Sequence, residues 1–228
     1  MPTTSDNMPR HANPHDRGFA AMYLPASFTV TDPAKLVEVI RQHSFATLIT
    51  TAECVPFATH LPILHRPLAG TPGVLVGHVA RANPQWQHFA NRSESLAIFS
   101  GPHAYVSPSW YATELAVPTW NYIAVHAYGV PRVIEDEAWL DALLDEMVQR
   151  YESNRPQPWP NQLPDDFRRN LLRSIVGFEM PISRIEGKFK LSQNRPEQDR
   201  TNVVRELSGS SNPDAQAVAN WMRAMGIS

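Results

Sequence analysis

The stretch Tyr105–Gly129, YVSPSWYATELAVPTWNYIAVHAYG, decides how this chain is read. It holds two of the six Trp (Trp110, Trp120) and four of the six Tyr (Tyr105, Tyr111, Tyr122, Tyr128). Its ends have strand character, and its middle, stiffened by Pro108 and Pro118, reads as a loop. Rigid aromatics at that density are costly to leave in water. They close a core, meet a partner subunit, or line a pocket for a flat ligand.

Upstream of this stretch the chain reads as short strands between turns. Asp32-Pro33 opens a helix with Asp at the N-cap and Pro at the first helical position, and Leu36, Val37 and Ile40 carry it to about Ser44. Phe45–Thr51 is a strand, Ala52-Glu53 a turn, and Val55–Leu64 the second strand of a hairpin. Pro56 and Pro62 in that second strand argue for an edge, a bulge, or an N–H side that meets something other than a strand. Val74–Ala80 is a third strand, and Asn83-Pro84 repeats the cap-and-Pro signal before PQWQHFA. Ser95–Ser100 and Ala104–Ser107 flank a Gly101-Pro102 turn, and a long strand is expected over Asn121–Val133.

Downstream the period changes. Leu140, Leu143, Leu144, Met147, Val148 and Tyr151 recur at helical spacing. A Pro-rich connection over 153–164 leads to a helix from Asp165, then to a strand over Gly177–Leu191. Two helices close the chain, one holding Val203, Val204 and Leu207, the other starting at Asn212-Pro213. Six or seven strands with short turns, mostly before the helices, make an α+β protein: a small antiparallel barrel with helices outside it. The expected organisation is a flexible tail over 1–20, one domain over 21–208, and a C-terminal helix over 209–228.

Composition excludes several classes. The 228 residues are 43% hydrophobic and 18% charged, with a net charge of -2. That is enough apolar residues for a core, and it offers no basic footprint for phosphate backbones. The single Cys, Cys54, excludes an intramolecular disulfide. No run is long or apolar enough to span a membrane, and the N-terminus lacks a signal peptide's apolar core; we expect a cytoplasmic protein. Lone Cys54 has no activating neighbour in sequence, and the nine His form no metal-ligating pair, so neither a catalytic residue nor a metal is expected. His60 and His126 fall within strand patterns; His103 lies nearest the entry of the aromatic loop.

Two places suit an anion. Arg81 stands between a strand and the helix opened at Asn83-Pro84, where free N–H groups and a guanidinium fork converge; the alternative is a surface loop residue. Lys188 and Lys190 point to one face of a strand, with Ser192, Gln193, Asn194 and Arg195 beyond. Side-by-side ammonium groups repel unless an anion or solvent lies between them; the alternative is an edge strand guarded by Lys.

The segments MYLPASF (Met22–Phe28), ATHLPIL, GHVARANPQW, YVSPSWY, VPTWNYIAVHAYG and IEGKFKLSQNR, in this order, resemble the PaiB-like family of bacterial FMN-binding negative transcriptional regulators, over about Met22–Leu207. The resemblance implies an FMN-binding split β-barrel, similar to pyridoxamine-phosphate oxidase, built as a homodimer with flavin at the dimer interface. By motif position, Thr59, His60, Leu61, Pro62 and on to Ile63 would run beside the isoalloxazine. Arg81, Asn83 and Gln85 would lie near the phosphate. Trp110, Tyr111, Thr119, Trp120 and Asn121 would line the cleft, partly from the second subunit, and Lys188, Lys190, Gln193 and Arg195 would close it. The repressor role implied by the family finds no helix-turn-helix or basic face here, which speaks against direct DNA binding. Three other readings of the same fold stay open: a flavin-dependent oxidoreductase using a nicotinamide donor, a haem-handling protein, and an empty barrel whose aromatics serve only the dimer.

Overall fold

Two β-branched, apolar runs joined by a two-residue turn start the sheet. β2 (Phe45–Ala52) and β3 (Val55–Pro62) pair antiparallel from Phe45↔Pro62 to Ala52↔Val55. Glu53 and Cys54 between them both have positive φ, 50° and 63°, as a tight hairpin turn whose twist matches its strands requires. The computed structural model describes residues 22–227; the tail expected over 1–20 lies outside the described residues.

In chain order the other elements are β1 (Thr29–Val30), α1 (Pro33–Gln42), β4 (Leu64–Arg66), β5 (Val74–Ala80), a 3-10 helix (Pro84–Asn91), β6 (Ser95–Val106), a 3-10 turn (Pro108–Trp110), β7 (Thr119–Gly129), β8 (Arg132–Ile134), α2 (Glu137–Glu152), α3 (Asp165–Arg173), β9 (Ile175–Lys190), α4 (Glu197–Ser208) and α5 (Pro213–Ala224). Strand order is β3-β2-β6-β7-β9-β5-β4, with β1 and β8 also pairing with β9, and every pairing is antiparallel. β9 belongs to two sheets. Its first half pairs with β5 and β8, its second half with β7 and β1. This shared strand makes an α+β antiparallel split barrel with peripheral helices, the fold class read from the sequence.

Four local expectations are corrected. Val55–Leu64 is not one strand: at Ile63, whose N–H donates to Ser44 O (2.8 Å), the chain leaves the β2 sheet, and β4 pairs with β5 instead. Gly101-Pro102 does not reverse the chain. β6 runs through it as a bulge between Ser100 and His103, where a residue without N–H costs no ladder bond. The strand expected over Asn121–Val133 stops at Gly129 and resumes as β8 after Pro131. The helix opened by Asn83 is 3-10 in form, although its cap is as read, with Asn83 Oδ1 accepting from Gln85 N–H at 3.0 Å. These breaks raise the strand number above the six or seven expected.

The inner face of the sheet carries Leu48, Ala97, Phe99, Ile123, Val125 and Phe189, all essentially inaccessible. α1 (Leu36, Val39, Ile40), α4 (Val203, Val204, Leu207) and α5 (Ala215, Val218, Ala219, Met222) bury their apolar stripes in the same cluster. α2 packs Leu143 and Met147 on Leu64 and Val76. The outer face of β3, β2, β6, β7 and β9 has no such cover among the described residues. One row on it is given directly by the registers: His60, Thr47, Ile98, His126, Glu186.

Candidate functional site

The residues singled out in the sequence fall into two groups. The first gathers at the junction of β2, β3 and the 3-10 helix. Asn83 Nδ2 donates to Thr59 Oγ1 at 2.9 Å while its Oδ1 caps the helix. Gln85 is fully buried, and its Nε2 donates to Leu48 O (2.9 Å), Thr50 Oγ1 (3.3 Å) and Phe57 O (3.3 Å), which ties β2, β3 and the helix together. Its Oε1 has no hydrogen-bond partner among the described residues. β3 pairs with β2 alone among the described residues, so one edge of its backbone at Thr59–Pro62 meets no strand. His60 sits on the outer face, with Nδ1 2.9 Å from Thr47 Oγ1. Leu61 turns into the core, and Pro62 ends the strand.

Arg81 stands at the rim of this group with its guanidinium directed elsewhere. It donates to Arg173 O (2.9 Å), Ile175 O (3.1 Å) and Glu135 Oε1 (2.7 Å). It clamps the loop after β5 onto the start of β9.

The second group lies where β7 begins and β9 ends. Lys190 Nζ donates to Thr119 Oγ1 (2.5 Å) and Trp120 O (2.6 Å). Asn121 is buried, and its Nδ2 donates to Ser192 Oγ at 3.0 Å. Ser192 is left-handed (φ 66°), and Gln193 closes the turn by accepting from Leu191 N–H (2.7 Å) and donating to Phe189 O (2.5 Å). That turn folds Arg195 back over the Tyr111 ring, 4.5 Å from its centroid. Trp120 remains 52% exposed, with the rings of Tyr105 and His103 each 6.0 Å away. Trp110 packs at the edge of the core, and the Tyr111 hydroxyl is buried without a partner among the described residues.

Lys188 is 8% exposed, and its ammonium lies 5.0 Å from the Tyr23 ring and 5.6 Å from the Tyr122 ring. No hydrogen bond or ion pair to it occurs among the described residues. Burial, then the charges of Lys188 and Arg195, push the Lys190 ammonium below the usual lysine range.

Sequence reading missed Asp199, which holds this wall in place. It is 1% exposed and accepts from Ala112 N–H (2.8 Å), Thr113 N–H (3.4 Å) and Thr113 Oγ1 (2.7 Å). Burial pushes its carboxyl up; these donors and nearby Arg195 outweigh that and hold it below the usual range. Tyr122 and Tyr23 were missed as partners of Lys188. In the sequence Asp199 is one of two acids in PEQDR, and no local signal marks it as buried.

One chain does not bring the two groups together. Thr59 sits on β3, and Lys188 and Lys190 on β9, with β2, β6 and β7 between them; four strand steps span roughly 19 Å. Arg81 and Lys188 are also apart, since Ala80 pairs with Ile175 at one end of β9 and Lys188 with Ala124 near the other. Reading Arg81 and the two lysines as a single phosphate site is therefore not supported within one subunit.

Residues 22–184 match the family described as "Putative FMN-binding domain". The chain belongs to this FMN-binding family. It is 39% identical over 203 residues to the protease synthase and sporulation protein PAI 2 of Bacillus subtilis, covering 88% of this chain and 96% of that protein. The PaiB-like resemblance is borne out. Among solved structures, it is similar to the flavocytochrome Anf3 from Azotobacter vinelandii, with TM-score 0.59 and 17% identity over 76% of this chain and 73% of that one. It is also similar to the FAD- and haem-binding protein from Mycobacterium smegmatis, with TM-score 0.54 and 16% identity over 71% and 73%. These two show the fold.

FMN is the cofactor that membership of the FMN-binding family assigns, and the residues present suit it. A flat ring finds the edge of β3 in one group and the exposed Trp120 in the other. The start of the 3-10 helix, beside the Arg81 loop, is the part of the first group suited to a phosphate. No helix among the described residues is long and apolar enough to cross a membrane.

Proposed function

We propose that two copies of this chain form a homodimer and hold FMN in two clefts at their interface. Each cleft takes the Thr59–Asn83 group from one copy and the Trp120–Tyr111 group from the other. The observation that carries this reading is the separation of the two groups across an uncovered sheet face. That face bears Phe45 (70% exposed), Ile98, Tyr122 and His126, side chains a monomer gains nothing by leaving in water.

FMN when bound supplies redox chemistry; the chain binds and orients it. Thr59–Ile63 flanks the ring, while the Asn83 amide and the start of the 3-10 helix beyond the capped Gln85 N–H receive the phosphate. Arg81 keeps that loop seated on β9. Asp199 and Lys190 fix the two ends of the aromatic loop, so that Trp110, Tyr111 and Trp120 present a rigid wall.

We propose further that any repressor role runs through the flavin or through a surface made by the dimer. On α3, Arg168 pairs with Asp141 and Asp145, and Arg173 lies 3.6 Å from Glu137, so these charges are already engaged within the chain. The test is light scattering with a visible spectrum of the purified protein. Expected are twice the 25.6 kDa chain mass and a flavin spectrum, with one FMN released by heat per chain. A monomer that binds FMN stoichiometrically would overturn the shared cleft.

A further inference from the structure

We infer that Lys188, Lys190 and Arg195 form a subsite for a second, small anionic ligand, carrying a carboxylate or phosphate, on the ring side of the flavin cleft. This rests on the cleft reading proposed above, in which FMN's own phosphate lies at the 3-10 helix of the other copy.

The cluster is built, and its two lysines lack a carboxylate partner among the described residues. Lys188 is more than nine-tenths buried, and its ammonium lies against the faces of Tyr23 and Tyr122 with no hydrogen bond or ion pair among the described residues. A cation held among rings with no counter-charge beside it is stabilised by an anion that pairs with it. The acids around it are spent. Glu186, two residues back on the same face, accepts from Met22 N–H and Tyr128 Oη and pairs with Arg184. Asp199, beside Arg195, is filled by Ala112 and Thr113. Among the described residues, Lys188 and Lys190 therefore converge with no carboxylate paired to either, while Arg195, close by, has Asp199 as its neighbour. Burial first, and then the charges of Lys188 and Arg195, depress the Lys190 ammonium.

The cluster's position gives the ligand its role. Lys190 is hydrogen-bonded to Thr119 and to the backbone of Trp120, and Arg195 stacks on Tyr111. The positive charge is thus attached to the aromatic wall, which faces the flavin ring. The capped 3-10 helix that suits the cofactor's phosphate belongs to the other group, which one chain keeps apart from this one. An anion held here lies where a reactant of the flavin must lie. The flavin's reaction partner is accordingly an anion.

The experiment uses the full-length, FMN-loaded protein and inorganic phosphate as probe, read by calorimetry and by the flavin's visible absorbance. Lys188→Met keeps the apolar stem and removes the charge. Phosphate should bind wild type saturably and the variant at least about tenfold more weakly. The preference for FMN over riboflavin should stay within about twofold of wild type, since each tenfold would need another 1.4 kcal/mol. Disappearance of that preference in Lys188→Met would show that the cluster holds the cofactor's own phosphate, and would overturn the inference. So would phosphate binding equally to both proteins, or not at all to wild type. If Lys188→Met does not fold, Lys188→Gln, which also removes the charge, supplies the same comparison. Failure of wild type to bind FMN would instead refute the cleft itself.

Discussion

A shared cleft can be tested by breaking each half on a different chain. Asn83→Asp keeps a good helix cap but loses the donor to Thr59 Oγ1 and puts a negative charge where the FMN phosphate is placed. Two like charges about 6 Å apart at an effective dielectric of 20 repel by roughly 3 kcal/mol, so affinity should fall at least a hundredfold. Trp120→Ala attacks the other half. The residue is 52% exposed, which leaves roughly 130 Å² of ring to be covered. Covering half of that at about 25 cal/mol per Å² is worth roughly 1.6 kcal/mol, or more than tenfold in affinity. Each variant alone, at an FMN concentration chosen between the wild-type and variant affinities, should be nearly empty by flavin fluorescence quenching. Mixing equal amounts and allowing subunit exchange makes half of the dimers mixed. Each mixed dimer has one cleft with both halves intact and one with both broken, so about a quarter of all clefts should regain wild-type affinity. No recovery after demonstrated exchange would refute the reasoning, because a cleft formed within one chain cannot be complemented.

Three further outcomes are expected. Gly129→Ala should destabilise the fold by about 1–3 kcal/mol in urea melts, because a Cβ there would lie 2.2 Å from Pro181 O at the β7–β9 register shift; an unchanged midpoint would mean that this crossing is looser than described. Burial holds His43, His78 and His126 below the ordinary imidazole range. The unfolded chain therefore takes up protons first as pH falls through about 6.5. Stability is fully present above that pH and is lost below it, so Tm should drop between pH 7.5 and 5.5, with a shallower slope in His78→Gln; a flat profile would contradict the burial of these rings. An electrophoretic shift at physiological salt should show only weak, sequence-indifferent DNA binding; a nanomolar, sequence-selective complex abolished by Arg169→Ala and Arg173→Ala would move the function to direct repression.

Much of the architecture was legible because its signals are local. Asp32-Pro33, Asn83-Pro84 and Asn212-Pro213 each open a helix with the cap bond that Asp or Asn chemistry dictates. The hairpin at Ala52–Val55, the 3.6 period of α2 and the edge position of the Pro-bearing β3 follow from rules acting over a few residues. Motif order was enough to name the family and its cofactor. What the sequence left open depends on distance between strands. Arg81 and Lys188 both look like phosphate ligands in a linear reading. Only the pairing of β9 with β5 at one end and with β7 at the other separates them, and only the register shows Arg81 turned onto Arg173 O, Ile175 O and Glu135. Asp199 could not be singled out at all, since burial of a carboxylate is decided by what α4 packs against and not by its neighbours in sequence. Local chemistry writes caps, turns and strand faces into the chain. The meeting of residues dozens of positions apart is set by sheet order and register, which are properties of the whole fold.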